Sequence, residues 1–186
     1  MIIQEKEVIL KNGKKVILRS PMEHEAQALH NHRYKASGES VFLSRYQEEV
    51  AFNEEMMKRM ISIINADARD FFLSAFVDGK LVADSGTMKI KNHIKYLHRA
   101  YFGISIQEEY CDLGLGSIIL QETIKQAKAN GFEQLELGVF EDNTRAIHVY
   151  EKLGFQKVGV QPRAFKLKDG SYHDEIQMIL FLDGER

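Results

Sequence analysis

Tyr110-Cys111-Asp112-Leu113-Gly114-Leu115-Gly116-Ser117 stands between two patterned segments. Before it runs an apolar alternating stretch, Ala100-Tyr101-Phe102-Gly103-Ile104-Ser105-Ile106, and after it a helical pattern over Ser117–Asn130. Strand, glycine turn and helix together predict an anion site. The first N–H groups of a helix lack intrahelical partners, and the helix dipole adds positive potential at the same place. Glycines let the backbone approach a phosphate with no Cβ in the way. Two familiar phosphate loops are excluded. A P-loop needs Lys before the helix Ser/Thr, and Gly116 precedes Ser117. A dinucleotide fingerprint needs Gly or Ala three residues after Gly116, where Ile119 stands. Gly-x-Gly alone also marks an ordinary turn before a helix.

A second stretch decides between these readings: Val139-Phe140-Glu141-Asp142-Asn143-Thr144-Arg145-Ala146-Ile147-His148-Val149-Tyr150-Glu151-Lys152-Leu153-Gly154-Phe155. Its Val-x-x-x-Asn-x-x-Ala-x-x-x-Tyr-x-x-x-Gly-Phe pattern, about 20 residues after the glycine turn, resembles the GNAT superfamily of N-acetyltransferases. The resemblance is strong over Ala100–Phe155 and looser over Lys14–Leu182. It implies an α+β fold, a GNAT-like central mixed sheet with helices on both faces. It also implies acetyl-CoA as acetyl donor, no metal, and a V-shaped gap between the strands ending near Ile106 and beginning near Gln134.

In that arrangement the donor's pantetheine arm pairs with main-chain groups of Ile104, Ser105 and Ile106, as a peptide adds to a sheet edge. The amides of Leu113, Gly114, Leu115, Gly116 and Ser117 take the pyrophosphate, and Asn143 and Ala146 contact the donor. Asn143 is equally an N-cap for its helix, and the two roles are compatible. Tyr150 matches the family's acid, which protonates the departing thiolate. A phenol near pKa 10 and a thiol near 8.5 leave that transfer uphill by roughly 2 kcal/mol. Glu136, on the strand lining the gap, and His98 are the candidates for a base acting through water. The family's turn usually begins Arg/Gln-x-x-Gly-x-Gly; here Cys111 and Asp112 occupy the first two positions. Asp112 places a negative charge beside a pyrophosphate, which predicts modest donor affinity unless its side chain points to solvent. Cys111 lacks a His partner and is not read as a nucleophile. Arg145 and Lys152 are read as exposed helix charges.

The remaining composition narrows the setting. Among 186 residues, 44% are hydrophobic and the formal net charge is −2, with a pI near 6.4. That fits one domain over 1–186, with an N-terminal strand in 1–13 and a core in 14–182. It gives no electrostatic case for nucleic acid or an anionic membrane. One cysteine excludes an internal disulfide and suits a reducing compartment, so a cytoplasmic location is expected. His30 and His32, two apart on a helix, do not share a face for a metal.

Asn12-Gly13 predicts an N-terminal hairpin between strands at 1–11 and 14–20. Ser20-Pro21 predicts a helix start, running to about His32 and broken by Gly38, followed by a helix over Glu48–Asn65. Hairpins are expected across Asp78-Gly79 and across Lys168-Asp169-Gly170, with strands at Leu97–Ile106 and Gln134–Phe140 and a short helix at Asn143–Leu153. The expected function is acetyl transfer from acetyl-CoA to a primary amine, a peptide N-terminus or small amine, by direct attack in a ternary complex. The alternative is a non-catalytic acyl-CoA sensor or scaffold on the same fold. In the family the two early helices wall the acceptor pocket, here about Met22–Asn65, with Tyr34, Phe42 and Tyr46 as aromatic walls. The terminal hairpins offer edges for a homodimer.

Overall fold

The computed structural model describes residues 1–182; the last four residues of the expected domain, 183–186, lie outside it. Eight strands form one sheet in the order β1-β2-β3-β4-β5-β6-β8-β7. They are β1 (Lys6–Ile9), β2 (Lys15–Arg19), β3 (Phe71–Val77), β4 (Lys80–Lys89), β5 (Arg99–Ile106), β6 (Gln134–Phe140), β7 (Gln156–Lys166) and β8 (Tyr172–Phe181). Four α-helices accompany them: α1 (Ala26–Glu39), α2 (Glu54–Ala66), α3 (Leu115–Ala129) and α4 (Thr144–Lys152). All neighbouring strands are antiparallel except β5 and β6. That parallel step is the one place where a helical crossover, α3, is required.

The sheet buries both faces at its centre. Every residue of β3 is buried, as a strand sandwiched between two helical layers must be. One face carries α3 and α4. Its core includes Phe71, Leu73, Phe102, Leu115, Ile119, Leu120 and Leu135, each at most 2% exposed. The other face is covered by α1 and α2, where Leu29 and Ile61 pack with Phe76 and Leu81. Burying a Leu- or Phe-sized side chain contributes about 1.5–3 kcal/mol. Replacing Phe71 by Ala is therefore expected to cost about 3–5 kcal/mol.

The hairpin turns fall where Asn-Gly and Asp-Gly place them: Gly13, Gly79 and Gly170 all have positive φ. The start of the first helix differs from expectation. A 3₁₀ turn at Glu23–Glu25 comes first, and α1 begins at Ala26. Ser20 caps nothing there. It is buried between strands, its Oγ accepting from the Ile3 amide at 2.8 Å and donating to the Phe72 carbonyl at 2.8 Å. Nor does Gly38 break α1, which runs through it to Glu39. The loss of helix propensity at one glycine, about 1 kcal/mol, is small beside the packing of α1 on the sheet. Close approach favours the residue as well, since a Cβ on Gly38 would meet the Gln47 amide group at 2.6 Å. The second helix begins later than expected, at Glu54, where the Asn53 side chain accepts from the Met56 amide. Glu48 instead lies in a 3₁₀ turn, Gln47–Glu49.

Candidate active site

β5 and β6 begin as neighbours and then part. Their pairing covers only Arg99–Gln134, Ala100–Leu135 and Tyr101–Glu136. β5 stays paired to β4 as far as Ile106, and β6 stays paired to β8 as far as Phe140. The inner edges beyond Tyr101 and Glu136 therefore face a gap instead of each other. Tyr101 marks the fork: its hydroxyl accepts the Gly138 amide at 2.9 Å, satisfying the first β6 donor that β5 has abandoned. The expected V-shaped opening is present. It widens into a cleft of about 770 Å³ that passes from one face of the sheet to the other, and Ile104, Ser105 and Ile106 line it.

On the α3/α4 side the glycine turn forms one wall. Gly114 has φ +87° and caps α3. A side chain is strained in that conformation. The main-chain bond from the Ile118 amide to the Gly114 carbonyl, 3.1 Å, closes the first turn of α3. The amides of Leu115, Gly116 and Ser117 are left without main-chain partners, as helix geometry requires. Gly114, Gly116 and Ser117 line the cleft, whereas the Leu115 side chain is fully buried in the core. A Cβ on Gly116 would come within 3.2 Å of Ile106, so this wall is already tight. Leu113 has another task. Its carbonyl accepts from the Lys11 amide at 3.2 Å, docking the β1–β2 turn onto the glycine turn. Lys11 was not found from sequence. Its stem packs over Gly114 and its chain lines the cleft, so its ammonium is a second source of positive charge beside the helix end.

The atypical Cys111-Asp112 pair is also explained here. Asp112 adopts φ +60°, and its carboxylate lies 3.2 Å from Arg145 on α4. The anion that would oppose a phosphate is thus paired with a cation, and Arg145 is more than a bystander on its helix. Burial pushes the Cys111 thiol up, with the Arg145 charge opposing, which fits an unreactive sulfur.

α4 begins at Asn143, whose side chain accepts the Ala146 amide at 3.2 Å. Asn143, Ala146 and Tyr150 all line the cleft. Tyr150 packs against Phe155, with ring centroids 5.7 Å apart, and its hydroxyl makes no hydrogen bond among the described residues. Desolvation, with a smaller contribution from Tyr101, pushes its pKa up to about 12. The phenol is held firmly protonated at the fork of the strands.

The Glu136 side chain is engaged by its neighbours. Glu136 lies on the strand that bounds the gap but is not among the residues that line the cleft. Arg99 grips it through Nε and through Nη2 at 2.8 Å, and Gln134 donates to it at 2.7 Å. His98 contributes its carbonyl to Glu133 and Gln134 and does not line the cleft. Two carboxylates do line it: Asp112, paired with Arg145, and Glu175 on β8. Glu175 is the register partner of Phe140 on β6, which puts it on the same face as Gly138 and Tyr101. A Cβ at Gly138 would overlap it, so glycine there gives the carboxylate its place. Strand periodicity cannot reveal this neighbour, because only the register of β6 with β8 brings residues 138 and 175 together.

Of the aromatic residues expected along the acceptor wall, Phe42 reaches the cleft. It packs edge-on to Phe140 at 5.7 Å, and Phe140 stacks on Phe165 at 3.7 Å. Tyr34 lies outside, beside His30, and the Tyr46 hydroxyl accepts the Lys168 amide. Glu141, Asp142 and His173 bring three ligand-type atoms within 4.8 Å. These groups are already bonded: His173 Nδ1 to Asp142 at 2.5 Å, and Glu141 to the Asp174 amide at 3.0 Å. They tie the β7–β8 hairpin to the start of α4.

Comparison with known proteins places this geometry. The family model described as the acetyltransferase (GNAT) family matches residues 37–155. The chain is 32% identical over 107 residues to the L-amino acid N-acetyltransferase AaaT of Escherichia coli K12, covering 57% of this chain and 65% of that one. It spans less than two thirds of the first curated relatives it matches. The fold superposes on the acetyltransferase of GNAT family from Streptococcus pneumoniae with a TM-score of 0.85 and 26% identity, over 89% of this chain and 99% of that one. A GNAT superfamily phosphinothricin acetyltransferase from Sinorhizobium meliloti, solved in complex with AcCoA, gives a TM-score of 0.78 at 18% identity, over 89% and 88% of the two chains. At that identity the likeness is one of fold.

Proposed function

From the premise that this chain belongs to the acetyltransferase (GNAT) family, whose members use acetyl-CoA as the acetyl donor and need no metal, we propose that it is an N-acetyltransferase acting on a primary amine. The single observation that carries this reading is the parting of β5 from β6 after Tyr101, with a glycine-walled helix end on one side and Tyr150 at the fork. An extended chain with amide groups fits the open edge of Ile104–Ile106 as a strand would. Two negative phosphates fit the amides of Leu115–Ser117, the Lys11 ammonium and the α3 dipole. Gly116 sets the tolerance of that cradle, since any side chain there would fill it. Asn143 and Ala146 supply the wall opposite.

The donor supplies an acyl group activated as a thioester. The protein's part is to exclude water, orient the acyl carbonyl and hold a proton for the departing sulfur. Tyr150 serves as the acid, because burial keeps its hydroxyl protonated and no side chain competes for it. With its pKa near 12, full transfer to a free thiolate is uphill by about 3.5 units, or roughly 5 kcal/mol. Proton movement must then accompany C–S cleavage and not follow it. Direct attack by the amine in a ternary complex fits a cleft open on both faces of the sheet, one for the donor and one for the acceptor.

Isothermal titration with acetyl-CoA and coenzyme A, followed by thiol release on an amine panel, tests the proposal. Binding with release supports the enzyme. Binding with no release on any amine would favour an acyl-CoA sensor, and absence of binding would remove both.

A further inference from the structure

We propose that the acceptor is an α-amino amide bearing an apolar side chain, a peptide N-terminus or an amino-acid amide, and not a free amino acid. This rests on the acetyl-transfer reading. It follows from how charge is divided across the cleft.

The sheet separates two chambers. Lys11 and Arg145, the lysine and arginine of the cleft wall, both stand on the α3/α4 side beside the glycine turn. On the opposite face, among the described residues lining the cleft, there is no lysine or arginine. That chamber has one charged group, the Glu175 carboxylate, which makes no salt bridge among the described residues. Its aromatic surface is Phe42, the stacked pair Phe140 and Phe165, and Tyr101, with the uncharged Ser40, Leu43 and Ser44 beside Phe42. Ring faces are negative and attract cations. A primary ammonium therefore finds a carboxylate and π surfaces here, with apolar walls for a side chain beside it.

A free amino acid would bring its own carboxylate next to the amine, facing Glu175 with no cation to receive it. A like charge at that distance in a partly desolvated cleft costs on the order of 100-fold in affinity. Masking that carboxylate as an amide removes the repulsion. It also keeps the amine in the α-amino range, about 7.7–8.0, well below a lysine amine near 10.4. Glu175 takes one proton from the bound ammonium, giving a neutral amine and a carboxylic acid. An α-amine gives up that proton more readily than a lysine amine, by roughly 2.5 units. The α-amine is the acceptor a lone carboxylate can serve.

The test is a thiol-release assay on the full chain with acetyl-CoA and four acceptors: L-phenylalanine, L-phenylalaninamide, a tripeptide beginning with Phe, and Nα-acetyl-lysinamide. The amide and the tripeptide are expected to exceed phenylalanine by about 100-fold in kcat/KM, with the lysine amine weakest. Equal rates for amide and tripeptide would show that the first residue suffices; a faster tripeptide would show that a longer chain is read. Both support the proposal. Glu175→Gln should remove most of the activity on the amide while leaving acetyl-CoA affinity unchanged, and Glu175→Asp should restore part of it. Phenylalanine turned over as well as its amide would overturn the proposal, as would bound acetyl-CoA with no release on either amide. Failure to bind acetyl-CoA would instead overturn the donor reading beneath it.

Discussion

Tyr150 is the residue on which the chemical reading turns, and its surroundings make a sharp statement about it. Its hydroxyl is isolated, so replacing it by Phe removes a proton donor and leaves packing against Phe155 intact. Tyr150→Phe is expected to lower kcat by about 10²-fold or more with donor affinity unchanged, measured by steady-state kinetics and titration. His32 makes a different prediction. It is buried at 1% exposure, with Nε2 2.8 Å from Ser105 Oγ and the Gln107 amide 3.3 Å from Nδ1. Desolvation lowers its pKa to about 4, with Asp84 and Glu39 opposing and Arg33 assisting. The folded state then binds fewer protons than the unfolded one between pH 6.5 and about 4. Stability is lost as pH falls through that window, by roughly 3 kcal/mol from this residue. Denaturant titrations across that range should show His32→Gln flattening the acid limb; an unchanged slope would mean that other groups set it. At Gly138, alanine would displace Glu175, and Gly138→Ala is expected to raise the acceptor KM well before it affects acetyl-CoA binding.

Among elements, the ones that hold the site were the ones most legible in sequence. Gln134–Phe140 is a strand with the bounds expected of it, and α4 follows its Asn143 cap within a residue. The chemistry was legible where main-chain geometry decides it: Gly114 and Gly116 carry the turn whatever surrounds them. It was not legible where long-range register decides it. The family resemblance put Glu136 on a strand bordering the gap, but nothing near it in sequence shows that Arg99, 37 residues earlier, takes its carboxylate. Lys11 was hidden for a similar reason, since a hairpin turn gives no sign of the loop it will dock upon. Ser20 and Gly38 show local punctuation overruled by packing, the first drawn between strands and the second carried through a helix held on both sides. At this scale the α3 N-terminus makes the prediction. Gly114→Ala forces a side chain into φ +87°, at a cost of about 1–2 kcal/mol. It should weaken acetyl-CoA binding while sparing the acceptor KM, the reverse of Gly138→Ala.

For the whole molecule, the order of strands and helices follows from the sequence, and no helix among the described residues is long and apolar enough to cross a membrane. The sheet is continuous in name, yet its β5–β6 ladder has three register pairs, against seven each for β4–β5 and β6–β8. The two blocks resemble the halves of a book with a short spine, and the donor is the page laid across the opening. Binding should do more than raise the melting temperature by mass action. Amide hydrogen exchange along Phe102–Ile106 and Gly138–Phe140 should slow together when acetyl-CoA is added, as if a ninth strand had been inserted. The protein would then acquire part of its mechanical unity from the molecule it consumes, and each product release would loosen the spine again.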